Sequence, residues 1–195
     1  MIQNNQPSRL WFLARDYRKH PRLNLWGHEG CAYFLNASGQ KVAHKYGPAM
    51  RAKQVGRGYI APVVQSGSTQ LNAHIAMGEI FYGERPTFID SKGKPYFGQC
   101  HHLINELLNY APENLLCWLD YSQHHKADKR RRALEAAVPD GDLHIFTYDR
   151  LRELQNPRTM SDEVFQTELA KIRDKYKKCD PKAVMDHDLS HHMEI

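Results

Sequence analysis

The 195-residue sequence has no long apolar segment and only four, widely separated, cysteines. Charged residues interrupt the apolar residues of positions 1–20, so we expect neither a signal peptide nor a membrane span there, and no later segment reaches the length of a span. The cysteines lack the C-x-x-C spacing of a structural zinc site. We therefore expect reduced thiols and a cytoplasmic location, which includes the cytoplasm of a phage-infected host cell.

The sequence also lacks internal repeats and low-complexity linkers, and its composition is typical of a folded protein. Hydrophobic residues make up 41% and charged residues 25% of the chain. The formal net charge of +5 favours a polyanionic partner without identifying it. Histidine is abundant, with 12 residues. Seven of them lie in two short zones, which makes metal binding a hypothesis to test: His101, His102, His124 and His125, then His187, His191 and His192.

Apolar periodicity and turn residues predict the α+β class. We predict helices at 8–19, 71–82, 122–137, 147–154 and 161–177, and strands or hairpins at 31–44, 58–64, 87–100 and 115–119. Ser122, Thr147 and Ser161 are the expected helix caps, and Pro62 should place its strand at a sheet edge. The predicted organisation is a β-rich extension that contacts DNA at 1–75, a central core at 76–138, and a helical segment with a tail at 139–195.

The central stretch, residues 100–132, has the side chains that phosphodiester cleavage with one metal ion requires: a general base, metal ligands and cations for the phosphates. His101 and His102 are neighbours on a predicted strand, so their side chains diverge. One can therefore bind a metal while the other faces a water molecule. Asn114 ends the following loop, where its side chain should bond backbone groups and fix the shape of the loop.

The predicted helix after this loop adds ligands and positive charge. His124 and Asp128 are four residues apart, which places their Cβ atoms roughly 6 Å apart on one face. His125 lies one residue off that face and is expected at the surface or near a phosphate. A basic run on the same helix is predicted to bind backbone phosphates of a nucleic acid: Lys126, Lys129, Arg130, Arg131 and Arg132.

These residues resemble the HNH endonuclease family, the ββα-metal or His-Me finger nucleases, of phage or homing-endonuclease type. The resemblance includes the His101-His102 pair, Asn109, the turn and strand start at 112–115, Trp118 and His124, and with upstream similarity it spans about residues 31–132. It implies a ββα-metal core with an N-terminal β-hairpin and helix extension and with C-terminal helices.

The resemblance also implies residue roles. His101 would be a metal ligand, His102 the general base, Asn114 the structural asparagine and His124 the helical ligand, with Asp128 as an additional ligand. Members of the family hydrolyse DNA with a divalent cation and no small-molecule cofactor. Mg²⁺ is the expected ion, and Mn²⁺ or Zn²⁺ are alternatives because imidazole ligands favour transition metals.

Two questions stay open at the level of sequence. The loop after the histidine pair, residues 103–108, is more apolar than is usual in the family, and one extra residue leaves both His124 and His125 eligible as the helical ligand. The alternative function is that of a catalytically inactive nucleic-acid-binding or phage-assembly protein with the same fold. Cleavage of RNA is a further alternative, since the chemistry does not choose the sugar.

Overall fold

The computed structural model describes residues 17–36, 39, 41–42, 45–46, 62–66, 68–106 and 108–177. The chain divides into two compact units, residues 1–121 and 122–195. This division does not coincide with the three predicted segments, whose boundaries follow residues 75 and 138. Both helices and small antiparallel sheets are present, so the class is α+β.

The first unit contains short strands and one helix among its described residues. In chain order these are β1 (Tyr17–Lys19), β2 (Trp26–His28), β3 (Phe34–Leu35), β4 (Lys45–Tyr46), β5 (Pro62–Ser66), β6 (Thr69–Asn72), α1 (Ala73–Tyr82), β7 (Thr87–Ile89), β8 (Pro95–Phe97), β9 (Gln99–His102) and β10 (Leu115–Leu119). They form the antiparallel sheets β1-β2-β3 and β4-β5-β6 and the antiparallel pairs β7-β8 and β9-β10.

Helix α1 lies in the hydrophobic core of this unit. Its core-facing residues include Ile75, Met77 and Ile80, which belong to one buried cluster with residues of the surrounding strands. Gly27 of β2 allows a close approach to the helix, because a Cβ at that position would lie 2.8 Å from the sulfur of Met77. The helix therefore packs directly on the backbone of the first sheet.

The described residues of the second unit, which end at 177, are mainly helical. Its elements are α2 (Tyr121–Glu135), which begins at the last residue of the first unit, α3 (Tyr148–Gln155), α4 (Asp162–Lys177), and 3₁₀ turns at Pro139–Gly141 and Leu143–Ile145. The hydroxyl of Thr147 accepts a hydrogen bond from the backbone N–H of Arg150 at 3.2 Å, and that of Ser161 accepts one from Val164 at 3.3 Å. Both predicted caps are confirmed.

No helix within the described residues is both long and apolar enough to cross a membrane.

Several predicted elements are also confirmed. The predicted helix at 71–82 is α1 from Ala73 onward, whereas Leu71 and Asn72 belong to β6; the predicted strand at 115–119 is β10, and the predicted helix at 161–177 is α4. The hairpin predicted at 31–44 is supported by two contacts: the N–H of Gly39 donates to the carbonyl of Asn36, and Leu35 forms an antiparallel bridge with Lys41. Local signals were sufficient for these elements.

Three expectations about elements are wrong. Tyr17–Lys19 is a strand rather than the end of a helix, because it pairs with Trp26–His28; the rest of the predicted helix, 8–16, lies outside the described residues. Pro62 does not place β5 at an edge, since β5 lies between β4 and β6. Pro62 is the first residue of the strand, a position that tolerates a missing N–H. Ser122 is not the cap of α2, which starts at Tyr121.

A cluster of His20, Arg22 and Glu79, of which His20 and Glu79 are buried, attaches the β1–β2 connection to α1. His20 is fully buried, and its Nδ1 accepts hydrogen bonds from the backbone N–H groups of Arg22 at 3.1 Å and Leu23 at 3.2 Å. The proton of a neutral imidazole is therefore on Nε2, which lies 3.0 Å from a carboxylate oxygen of Glu79. Arg22 donates to both carboxylate oxygens at 2.7 Å. Burial lowers the pKa of His20 despite the opposing effect of Glu79.

This cluster predicts a pH-dependent stability. Because the folded-state pKa of His20 is lowered, the unfolded chain takes up a proton near its ordinary pKa of about 6.5 while the folded chain excludes it. The stabilisation by neutral His20 is thus fully present above that pH and declines as the pH falls below it. We expect the free energy of unfolding of His20→Gln to approach that of the native protein as the pH falls from 8 to 5, in urea titrations. His144→Gln, at an exposed histidine, is the control, and a pH-independent difference for His20→Gln would contradict the prediction.

Candidate functional site

The histidine pair lies on β9, paired with β10. His101 is opposite Leu116 and His102 is opposite Leu115 in the antiparallel register. His101 is 3% exposed and His102 is half-buried. Adjacent residues of a strand point to opposite faces, so the two imidazoles have different surroundings, as the sequence predicts.

Asn114 fixes the loop that connects these strands. Its buried side chain accepts a hydrogen bond from the N–H of Ile104 at 2.8 Å and donates to the carbonyls of Asn109 at 2.8 Å and Ile104 at 3.3 Å. Its own carbonyl accepts from the N–H of Leu103 at 2.9 Å. The prediction that Asn114 bonds backbone groups in the loop is therefore confirmed. The apolar residues Leu103 and Ile104 are buried under this network, which explains the apolar loop sequence.

Helix α1 contacts the strand that follows this loop. The hydroxyl of Tyr82 lies 2.7 Å from the carbonyl of Pro112 and 3.2 Å from that of Leu115, to which it can donate. In return the indole N–H of Trp118 donates to the carbonyl of Tyr82 at 3.0 Å. Trp118 has a φ of 63°, at the place where the register of β9 and β10 shifts. The irregular backbone at Trp118 is thus held by a contact with the helix.

His74 is a neighbour of the histidine pair that the sequence did not reveal. From sequence we expect a histidine at the edge of the core that bonds a neighbouring residue. The structure places its ring edge-on to the ring of His102, with the ring centres 5.3 Å apart and the planes at 67°. The two histidines are 28 positions apart in sequence, so only the packing of α1 on β9 brings them together.

Cys100 of β9 and Cys117 of β10 form a disulfide, so the expectation of reduced thiols is wrong for this pair. Their Cα atoms are 4.1 Å apart on neighbouring strands. The expectation failed because pairing of distant cysteines depends on strand register, which no spacing rule contains. Gly78 of α1 lies against both sulfur atoms, since a Cβ there would be 3.0 Å from each of them.

The ligands predicted from the helix, His124 and Asp128, lie in the second unit on α2. His124 is half-buried and His125 is exposed. The carboxylate of Asp128 is engaged by two guanidinium groups, of Arg131 and Arg132, each at 2.6 Å. Binding of a metal ion by Asp128 would therefore compete with these two ion pairs.

The five cations of the basic run separate into two groups. Arg130 and Arg131 are 4% and 7% exposed. Arg131 pairs with Asp128 and Glu135. The exposed cations of the run are Lys126, Lys129 and Arg132. Burial leaves these three as the residues able to contact phosphates.

Arg130 has a structural environment. It donates to the carbonyls of Asn156 at 3.2 Å and Met160 at 2.9 Å, pairs with Asp162 at 2.7 Å, and lies 5.0 Å above the ring of Phe165. Arg130 and Lys126 together hold the pKa of the Asp162 carboxyl below its usual value. A surface cavity of about 450 Å³ adjoins these side chains. Arg130 thereby joins α2 to the segment that leads into α4.

Within the part of the chain that the structure describes, no group of three or more histidine, cysteine, aspartate or glutamate residues is positioned to hold a metal ion. Comparison of the chain with protein-family models, with curated proteins and with solved structures found no match.

The disulfide can be tested by peptide mass. Trypsin should release residues 93–126 as one peptide, because the bond after Lys94 precedes a proline. We expect this peptide to be lighter by two hydrogens before reduction than after it. Reduction should also destabilise the native protein by about 3 kcal/mol, the effect of opening a loop of this size. Cys31→Ser, at the free cysteine among the described residues, is the control and should respond like the native protein. An unchanged peptide mass on reduction would show that the thiols are free.

Because the basic run contains both buried and exposed cations, we expect substitutions of the neighbouring residues Lys129 and Arg130 to change stability by different amounts. Arg130→Met should destabilise the protein by about 2 kcal/mol, because it leaves the buried carbonyl of Met160 and the partly buried carbonyl of Asn156 without this donor. Lys129→Met removes the same charge from an exposed position and should change stability by less than about 0.5 kcal/mol. Denaturant unfolding of both variants measures the difference. Equal stabilities would show that Arg130 has no structural role.

Proposed function

We propose that this protein is a metal-dependent DNA endonuclease of the HNH type, in which β9, β10 and α2 form the ββα-metal core. The observation that supports the proposal most directly is the Asn114 network. A buried asparagine fixes the loop that follows a histidine pair, and its bonds are those expected from the sequence resemblance. A loop held in one shape keeps the end of β9, and hence the histidines, in a fixed position.

His102 is the general base in this proposal. The residue is half-buried at the end of β9, its Nε2 is buried, and its ring is restrained by contact with His74. It removes a proton from a water molecule, whose oxygen attacks phosphorus as the bond to the 3′ oxygen breaks. The products are a 5′-phosphate and a 3′-hydroxyl.

The proposed metal ligands are His101, His124 and Asp128. Imidazole and carboxylate donors suit a divalent cation, with Mn²⁺ or Zn²⁺ fitting the imidazoles better and Mg²⁺ fitting the carboxylate better. When bound, the cation would stabilise the negative charge that develops at the phosphate and the leaving oxygen. Asp128 is in ion pairs with Arg131 and Arg132, so a cation would compete with the two guanidinium groups for this carboxylate.

Binding of the DNA backbone is assigned to the exposed cations of α2. Lys126, Lys129 and Arg132 lie on the solvent side of the helix, where they can approach phosphates. Lys126 is paired with Asp162 at 3.0 Å, an exposed pair of small energy that a phosphate can replace. The proposal therefore expects DNA affinity to fall as salt rises.

The central test is the cleavage of supercoiled plasmid by the purified protein with Mg²⁺, Mn²⁺, Zn²⁺ or EDTA. His102→Ala should reduce the rate of nicking roughly hundredfold or more, because general-base catalysis is lost. Its affinity for DNA in EDTA should stay close to that of the native protein. His144→Ala, at an exposed histidine of the second unit, should cleave at the native rate. Native-like cleavage by His102→Ala would show that another group is the base.

The same assay separates the alternative functions. DNA binding without nicking in any of the metal ions would favour a catalytically inactive nucleic-acid-binding protein. Faster cleavage of RNA than of DNA would assign a ribonuclease. His124→Ala and His125→Ala, assayed beside each other, determine which of the two histidines is required.

A further inference from the structure

The β7–β8 hairpin has an exposed apolar face. The strands pair with Thr87 opposite Phe97 and Ile89 opposite Pro95. All four of these residues are exposed, and Ile89 and Phe97 are among the most exposed large apolar side chains described, at 64% and 57%. Because side chains alternate along each strand, the four lie on one face of the ribbon. An apolar face of this kind on a short ribbon is a typical interaction surface.

The opposite face of the hairpin is attached to the first unit. Tyr96 is half-buried and stacks on Tyr121, with ring centres 4.2 Å apart and planes at 11°. Its cross-strand partner Phe88 is half-buried as well. One face of the ribbon therefore packs against the first unit, and the opposite face is exposed to solvent.

The tip of the hairpin is positively charged and well ordered by its own hydrogen bonds. A carboxylate oxygen of Asp90 accepts from the N–H groups of Lys92 at 2.9 Å and Lys94 at 2.8 Å. The carboxylate of Asp90, the acid of this turn, is thus hydrogen-bonded to backbone N–H groups. Both lysines are exposed, and neither forms an ion pair with any residue that the structure describes.

The base of the hairpin carries a third cation beside the apolar face. The guanidinium of Arg85 lies 5.2 Å from the ring of Phe97, and its Nε donates to the carbonyl of Gly98 at 2.7 Å. The segment 85–98 has three cations and one acid. Positive charge at both ends of an exposed apolar ribbon is complementary to a DNA groove, in which phosphates border apolar sugar and base surfaces.

We propose that the β7–β8 hairpin is a second DNA-contacting element, one that enters a groove of the duplex with Lys92 and Lys94 on backbone phosphates and Phe97 and Ile89 against bases and sugars. This inference takes DNA as the partner from the proposed function. The surface that it assigns lies outside the nuclease motif. A two-stranded ribbon has the width that a major groove admits. The hairpin would hold the duplex while the histidine pair, on the strand that follows it, carries out the chemistry.

The test measures the binding of a short fluorescent duplex by the full-length protein. Fluorescence anisotropy gives the affinity in EDTA at a series of salt concentrations. The double variant Lys92→Ser/Lys94→Ser should bind about tenfold more weakly at low salt. The slope of log affinity against log salt should become less steep by about 0.9 for each phosphate that the variant no longer binds. Phe97→Ser should weaken binding without changing that slope, because it removes an uncharged side chain.

Matched controls lie in the second unit. Lys175→Ser/Lys177→Ser removes two exposed lysines of α4, and Val164→Ser replaces an apolar side chain that is 52% exposed. Both should retain most of the native affinity. If the lysine control reduces affinity and slope as much as the hairpin variant does, the effect is one of net charge alone and the hairpin proposal is wrong. Circular dichroism and thermal unfolding check that every variant keeps its fold.

The outcomes also separate this inference from the proposed function. Native affinity in both hairpin variants would overturn the hairpin assignment and leave the nuclease proposal untouched. Loss of binding in the hairpin variants of a protein that never nicks DNA would support the hairpin and reject the nuclease. A native protein that binds no duplex rejects both. If Phe97→Ser changes the sedimentation coefficient rather than DNA affinity, the apolar face is a contact between copies of the chain and the hairpin proposal is wrong.

Discussion

The first unit depends on the close approach of helix α1 to the β9–β10 pair, which is possible because residue 78 has no side chain. A Cβ on Gly78 would lie 3.0 Å from the sulfurs of Cys100 and Cys117 and from the ring of Trp118. Such distances are tighter than most contacts of a Cβ atom. A side chain at this position would therefore make its neighbours on the strands shift by a few tenths of an ångström.

The contacts that surround the histidine pair follow from this approach. Tyr82 reaches the turn before β10 only because its helix lies against that strand. His74, near the start of the same helix, meets His102 for the same reason. The disulfide lies beneath the helix between these two points. One helix face therefore positions the turn, the disulfide and the histidine ring together.

Features that depend on neighbouring residues in the chain were predictable from sequence. Thr147 and Ser161 cap helices because the cap bond is made within three residues, and the side chain of Asn114 bonds backbone groups that are five and ten positions away. Features that depend on distant packing were not. The strand register that joins Cys100 to Cys117 is one example. A second example is the position of β5 between β4 and β6, where Pro62 is tolerated at the start of the strand.

The basic run shows the same limit within one helix. Consecutive residues of a helix point in directions about 100° apart, so three adjacent arginines cannot share one face. Arg130 and Arg131 are themselves buried, whereas Arg132 is exposed, although Arg131 and Arg132 both pair with Asp128. The sequence predicts that the run is helical. It does not reveal which neighbours cover the helix, and those neighbours decide which arginines are structural.

The bonds of Asn114 have a consequence for the chemical identity of that residue. Its amide nitrogen faces the carbonyls of Asn109 and Ile104, while its amide oxygen faces an N–H. Aspartate has the same shape, but its carboxylate would place an oxygen next to the two carbonyl oxygens. Electrostatic repulsion would then replace the two hydrogen bonds that the amide nitrogen donates. Deamidation, which changes a single atom without any change of size, would therefore open the loop after the histidine pair.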